Sequence, residues 1–204
     1  MSAESQGTWL QPVTLQHGRA TLAPLSQDHC GDLAEAVKDG ELWTLWYTSV
    51  PTAEGMSAEI DRRLGLQQAG SMLPFTVIDN DSGKAVGMTT YMDADARTRR
   101  LEIGSTWYRK SLQRTSINTS CKLLLLTHAF EALDCIAVEF RTHFFNHASR
   151  RGIERLGAKL DGVLRSHLVS RNGTIRDTCV YSIIASEWPT VKGNLEWQLA
   201  RPRG

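Results

Sequence analysis

The stretch from Leu101 to Leu126, LEIGSTWYRKSLQRTSINTSCKLLLL, constrains the chain more than any other. It reads as a strand, a short polar loop and a helix that is apolar nearly all the way round, and such a helix belongs inside a protein. The loop, Gln113-Arg114-Thr115-Ser116-Ile117-Asn118, puts small or polar residues where the helix begins. Backbone N–H groups at a helix start have no intrahelical partner, and the aligned peptide dipoles make that end electropositive. Such an end accepts phosphate. Glu102 lies on the strand, 11 positions before Gln113. Together, loop and carboxylate predict an enzyme that holds a phosphorylated cofactor and removes a proton beside it.

The whole 204-residue sequence sets the frame. Its length favours one domain with a full core. Lysine and arginine number 23 against 22 acidic residues, a net charge of +1 that gives nucleic-acid binding little support. No signal-like leader and no long apolar run appear, so a soluble, cytoplasmic protein is expected. Cys30, Cys121, Cys135 and Cys179 are widely spaced and read as buried free thiols. The six histidines show no ligand spacing, so no metal site is expected.

Segments follow in a clear order. The opening MSAESQG reads as loose. Short strands at Val13 to Leu15 and Ala20 to Leu25 flank a turn at His17-Gly18. Ser26 is a helix cap for a run carrying Cys30, Leu33, Ala34 and Val37. A second helical piece spans Leu42 to Trp46 and ends at Pro51. A third carries Met56, Ile60, Leu64 and Leu66 inward and stops at Gly70. Then the period changes: Phe75 to Ile78, a turn at Asp79 to Lys84, Ala85 to Met92, a turn at Asp93 to Arg99, and Arg100 to Tyr108. The long helix runs from Ser116 to Leu133. Strand Ile136 to Thr142, helix Asn146 to Leu156 with Gly157 as its stop, and a hairpin of Ala158 to His167 and Ile175 to Ala185 follow, turning at Arg171-Asn172-Gly173-Thr174. The order predicts an α+β fold, a mixed and mostly antiparallel sheet flanked by helices in a single domain. An N-terminal segment with the first strand (1–18), a main domain (19–186) and a C-terminal tail (187–204) that packs back as an appendage complete the division. The loop is neither a P-loop nor a dinucleotide fingerprint.

This order, with this loop, resembles the GNAT superfamily of acetyl-CoA-dependent N-acetyltransferases, and within it the branch of ribosomal-protein N-terminal acetyltransferases. The family loop is Q/R-x-x-G-x-G/A. Gln113 matches, whereas Ser116 and Asn118 stand where glycine, or glycine and alanine, are usual. The resemblance implies acetyl-CoA as cofactor, held by Gln113, Arg114, Thr115, Ser116, Ile117, Asn118 and Thr119, with Asn146 on the pantetheine arm. It places the thioester carbonyl against a backbone N–H near Ser105, Thr106 and Trp107. It implies Glu102 as general base and direct transfer to a primary amine, a protein N-terminus or a small amine, in a ternary complex.

Each residue also has a plainer reading. Glu102 is a base or a strand carboxylate paired with Arg99 or Arg100. Ser149 protonates the leaving thiolate or caps a helix, with Tyr108 and Tyr181 as rival donors. Asn146 is a cap, a cofactor contact, or both. Trp43 and Trp46, with Tyr47, are core or an acceptor wall, and Tyr91, with Thr89 and Thr90, lies on the strand beside Glu102 and is placed in the same groove. Arg150 and Arg151 read as a solvated helix face or a phosphate contact. Cys121 reads as core, leaving no evident acyl carrier. The alternative from another class is a non-catalytic acyl-CoA-binding module or scaffold of the same fold, and a homodimer is compatible with the sequence.

Overall fold

The computed structural model describes residues 9–170 and 172–201. The opening MSAESQG and Arg171 of the last turn lie outside the described residues. Eight strands form one sheet: β1 (Leu15–His17), β2 (Ala20–Pro24), β3 (Met72–Asp79), β4 (Lys84–Asp95), β5 (Arg100–Tyr108), β6 (Ala137–His143), β7 (Lys159–Val169) and β8 (Ile175–Ile184). Their order is β1-β2-β3-β4-β5-β6-β8-β7. Every pairing is antiparallel except that of β5 with β6. Alternation of apolar and polar residues through each strand fixes which side faces which helices.

Helices α1 (Cys30–Lys38) and α2 (Met56–Gln68) cover one face. Leu33, Ala36, Val37, Met56 and Ile60 pack there on Ala85, Met88 and Trp107. Helices α3 (Ile117–Thr127), α4 (His147–Leu156) and α5 (Trp188–Ala200) cover the other. Ile117, Cys121, Leu125, Ile153, Leu156, Trp188 and Leu195 share that core with Leu101, Ile103 and Tyr181. The expected tail is thus a helix whose Trp188, Val191 and Leu195 are buried.

Three local expectations are corrected. Leu42 to Trp46 forms only a 3-10 turn at Leu42–Thr44, because Glu41 adopts a left-handed φ of 45° and Leu45 is extended. Nothing there continues the i to i−4 ladder. The long helix changes character after Thr127, with π-type bonding over His128–Ala132. On α2, Arg63 is buried with Met56 and Ile60, whereas Leu64 and Leu66 are only half-buried.

One backbone contact draws β5 against β4. A Cβ placed on Gly87 would meet the Trp107 carbonyl oxygen at 2.2 Å and the Tyr108 Cα at 2.9 Å, both rigid backbone atoms. Gly87→Ala is expected to destabilise the protein by about 1–3 kcal/mol, as overpacking does. Gly65→Ala, in the interior of α2 with nothing near its Cβ, is expected to stabilise by about 0.5–1 kcal/mol. Urea unfolding midpoints of the two variants should move in opposite directions, and parallel movement would refute the assignment.

Candidate active site

The parallel pairing of β5 with β6 covers only Arg100 to Glu102 opposite Ala137 to Glu139. Beyond it the strands diverge, β5 staying on β4 and β6 on β8. From Ile103 onward β5 therefore turns an unpaired edge of N–H and C=O groups toward the gap. Thr89 of β4 opposes both Ser105 and Thr106, because Thr90 pairs with Gly104 and Met88 with Trp107. Ser105 takes a left-handed φ of 48° to make this bulge. A bulge reverses the sense of alternation beyond it. Leu101 and Ile103 before it, and Thr106 and Tyr108 after it, all face α3.

The polar loop closes the open end of the gap. Its base is braced by Asp39, whose carboxylate accepts from the Ser111 N–H at 3.1 Å and from Arg109 Nε at 3.1 Å. Hydrogen bonding to Ser111 and the Arg109 charge hold Asp39 below the usual carboxylate range. Gln113 Nε2 donates back to the Tyr108 carbonyl at 3.3 Å. Ser116 opens α3 with φ −70° and ψ −19° and no side-chain cap. Ser120 N–H donates to the Ser116 carbonyl at 2.9 Å, whereas the N–H groups of Asn118 and Thr119, in the first turn, have no intrahelical partner. The left-handed residue of the loop is Arg114, at φ 65°. Ser116 is helical, a conformation open to any L residue. Neither it nor Asn118 inside α3 needs the backbone freedom of glycine, so the departure from the family pattern leaves the helix start and its N–H groups in place to meet an anion.

Asn146 begins α4 across the gap. Its Oδ1 accepts from the Ser149 N–H at 3.1 Å, so it is a helix cap. Ser149 lies half-buried in the first turn. Of its rivals, Tyr181 is fully buried and its hydroxyl is held by Glu154 at 2.9 Å and Arg150 at 3.1 Å. That contact, and the Phe144 ring beneath its guanidinium, tie Arg150 down rather than leave it solvated. Tyr108 is buried beside α3.

Glu102 is 7% exposed. It faces α2's side of the sheet, level with Met92 of β4 and Glu139 of β6. Its partner is Arg141, at 3.5 Å, not Arg99 or Arg100. Those two bind Asp134 and Glu139. Burial pushes the Glu102 carboxyl up to about 7. Arg141 opposes the shift, but its guanidinium also serves Glu139 at 3.0 Å and Asp93 at 3.5 Å. A Cβ on Gly104 would lie 2.7 Å from Glu102 Oε1, so glycine there leaves the carboxylate room in this position. Beside it Arg63, 2% exposed, donates to Thr90 Oγ1 at 2.8 Å and to the Ser105 carbonyl at 3.3 Å. Sequence reading missed Arg63 because a lone arginine among helical positions carries no sign of burial.

The expected acceptor wall divides. Trp46 is 52% exposed and stands over His143, with ring centroids 5.0 Å apart, beside Tyr47 and Phe145. Trp43 packs instead against the α1–α2 core. Tyr91 is a correction: it lies on the α3 side, fully buried, with its hydroxyl donating to the Leu125 carbonyl at 2.6 Å. Strand alternation forces this, since Met92 is the residue of β4 opposite Glu102. Thr90 stays on Glu102's face, through Arg63, and Thr89 points to Thr106. A cavity of about 590 Å³ between β1, α3 and α5 contains none of these groups.

Residues 19–159 match the model of the Acetyltransferase (GNAT) domain. The Bacillus subtilis (strain 168) protein named Putative ribosomal N-acetyltransferase YdaF is 33% identical over 106 residues, 52% of this chain and 57% of that protein, so the chain matches little more than half the relative's length. A GCN5-related N-acetyltransferase from Brucella melitensis superposes with a TM-score of 0.84 at 29% identity, covering 94% of this chain and 87% of the other. Mycobacterium smegmatis RimJ, solved in complex with CoA-disulfide, shares the fold with a TM-score of 0.78 at 20% identity over 92% and 95% of the two chains. With its splayed strands, helix-start loop and matching domain, the chain belongs to the GNAT acetyltransferase family.

Proposed function

We propose that the protein transfers an acetyl group from acetyl-CoA directly to a primary amine, the α-amine of a protein N-terminus ahead of a small amine. The observation that carries this reading is the gap between β5 and β6, with a buried carboxylate of raised pKa at its apex and unpartnered helix N–H groups at its open end. The name of YdaF, a ribosomal N-acetyltransferase, supports the choice of a protein acceptor, as do the exposed aromatic side chains of Trp46 and Phe145.

Acetyl-CoA supplies, when bound, an acetyl group activated as a thioester. Residues 113–119 hold its diphosphate through backbone N–H groups, with Asn146 and the start of α4 on the opposite side of the arm. The β5 bulge at Ser105, Thr106 and Trp107 offers backbone N–H groups where charge develops on the thioester carbonyl. Glu102 takes a proton from the acceptor's ammonium, directly or through a water, so that the neutral amine attacks. Ser149 is the nearest hydroxyl on α4 for the departing thiolate. Burial pushes the Cys121 thiol up to about 12, which favours direct transfer over a cysteine carrier.

Glu102 as the base gives a test with a sign. Its carboxyl is protonated below about pH 7, so the parent rate on a peptide amine should climb through that pH. Glu102→Gln should remove the climb and slow transfer by about 10²–10⁴-fold at pH 8. The raised pKa also means that the folded state holds a proton the unfolded state has released, so stability falls as pH rises from about 4.5 to 7. Glu102→Gln should therefore melt higher than the parent at pH 8. Equal rates across the range would sink the assignment.

Two further variants address the cofactor. Ser116→Trp should obstruct the cradle and weaken acetyl-CoA binding in calorimetry, while Ser116→Gly should bind at least as well as the parent. Asn146→Ala should lose about 0.5–2 kcal/mol of stability through the cap, and a separate loss of acetyl-CoA affinity would mark the contact. A Ser116→Trp protein that folds and binds normally would refute the cradle.

A further inference from the structure

Lys122 is the sole charged residue of α3. It is 6% exposed, among Cys121, Leu123, Leu125 and Leu126. Among the described residues its ammonium makes one hydrogen bond, to Thr106 Oγ1 at 3.3 Å, and forms no ion pair. Burying an ammonium without a counter-charge is costly, and a methionine of similar length would fill the space without that cost. The hydroxyl it meets is not an arbitrary one. Thr106 Oγ1 also bonds Thr89 Oγ1 at 2.7 Å, and Thr89 is the residue that opposes both Ser105 and Thr106 across the bulge. On a helix, long side chains lean back toward the N-terminus. Lys122 therefore links the helix whose start forms the phosphate cradle to the strand irregularity one layer below.

We propose that Lys122 is a positioning residue: its ammonium holds Thr106, and through it the bulge backbone at Ser105 to Trp107, in the geometry that receives the thioester carbonyl. This inference rests on the acetyl-transfer reading above. The titratable group that acts on Lys122 is Cys121 on its own helix, kept neutral by burial, as is Tyr108 of β5, which lies against Cys121. Burial also lowers Lys122 itself, to about 8. The competent, protonated form is consequently lost as pH rises through about 8. Glu102 loses its proton near 7 on the opposite face of the same strand, so the two groups together bound a narrow bell-shaped optimum.

The test compares the parent with Lys122→Met and Lys122→Gln. Lys122→Met is expected to melt no lower than the parent and to keep acetyl-CoA affinity within about twofold. Its kcat should fall roughly 10-fold or more, short of the 10²–10³ that loss of a whole oxyanion donor brings. The falling limb near pH 8 should vanish from its profile. Lys122→Gln, which keeps a donor near Thr106 without a titrating charge, should recover part of kcat and show no falling limb. Full activity in Lys122→Met, persistence of the limb, or a loss of melting temperature, affinity and kcat together would each overturn the proposal, the last by assigning Lys122 to the fold. The amide resonance of Trp107 in the protein alone provides a readout that needs no turnover, and it should titrate near pH 8 in the parent and stay still in Lys122→Met. A parent that acetylates no amine yet shows this titration would defeat the transferase reading and leave the positioning intact. An active parent without the titration would do the reverse.

Discussion

The site depends on a strand pair that stops. β5 and β6 share three paired positions and then part, because each is held more strongly by its outer neighbour. β6 is paired with β8 from Ala137 to His143. β5 is drawn onto β4 by the approach of Gly87 to the backbone of Trp107 and Tyr108. Parting leaves backbone groups on two facing edges unsatisfied in the middle of a sheet, an arrangement normally avoided. It also places two helix starts at the open end, α3 following β5 and α4 following β6. A gap lined by free edges and closed by helix N-termini is suited to an extended, amide-containing ligand with an anionic end.

Burial then sets the chemistry on both sides of β5. The same low polarity pushes Glu102 upward and Lys122 downward, since in each case it disfavours the charged form. Neither has a partner sufficient to cancel the effect. Arg141 is divided among three carboxylates, and Lys122 has one hydroxyl. Two groups whose pKa values are drawn toward neutrality thus flank β5, Glu102 three residues before the bulge on one face and Lys122 of α3 against Thr106 on the other, and such perturbed groups cluster at functional sites.

Most of the fold was legible because its elements are periodic and sharply punctuated. β5 falls on Arg100–Tyr108 and α4 on His147–Leu156 after Asn146, as the alternation and the Asn–Gly157 boundaries indicate. The failures lie where tertiary contacts override local pattern. Leu42 to Trp46 has helical spacing but is bounded by a left-handed Glu41 and an extended Leu45, and Arg63 is buried with Glu59, Thr90 and the Ser105 carbonyl satisfying it from three elements. The bulge was invisible, as no glycine marks Ser105, and with it the pairing of Thr106 with Lys122. Tyr91 was misplaced because adjacency to Glu102 along a sheet was read as sharing a face. Glu102's true partner, Arg141, lies on a strand that the sequence does not align with β5.

Departure of the loop from its family pattern shows which property of a motif is physical. Glycine in such a loop can serve backbone conformation, close approach, or both. Here the left-handed turn falls on Arg114 and is made without glycine, while Ser116 and Asn118 occupy helical positions. Conformation is thus accounted for, and only close approach remains as a reason for glycine at 116. A serine Cβ and hydroxyl take up little space, and the hydroxyl is itself a donor that a phosphate oxygen can accept from. The feature that attracts an anion, a helix start with N–H groups that lack intrahelical partners, is contributed by the backbone and survives the change of side chain.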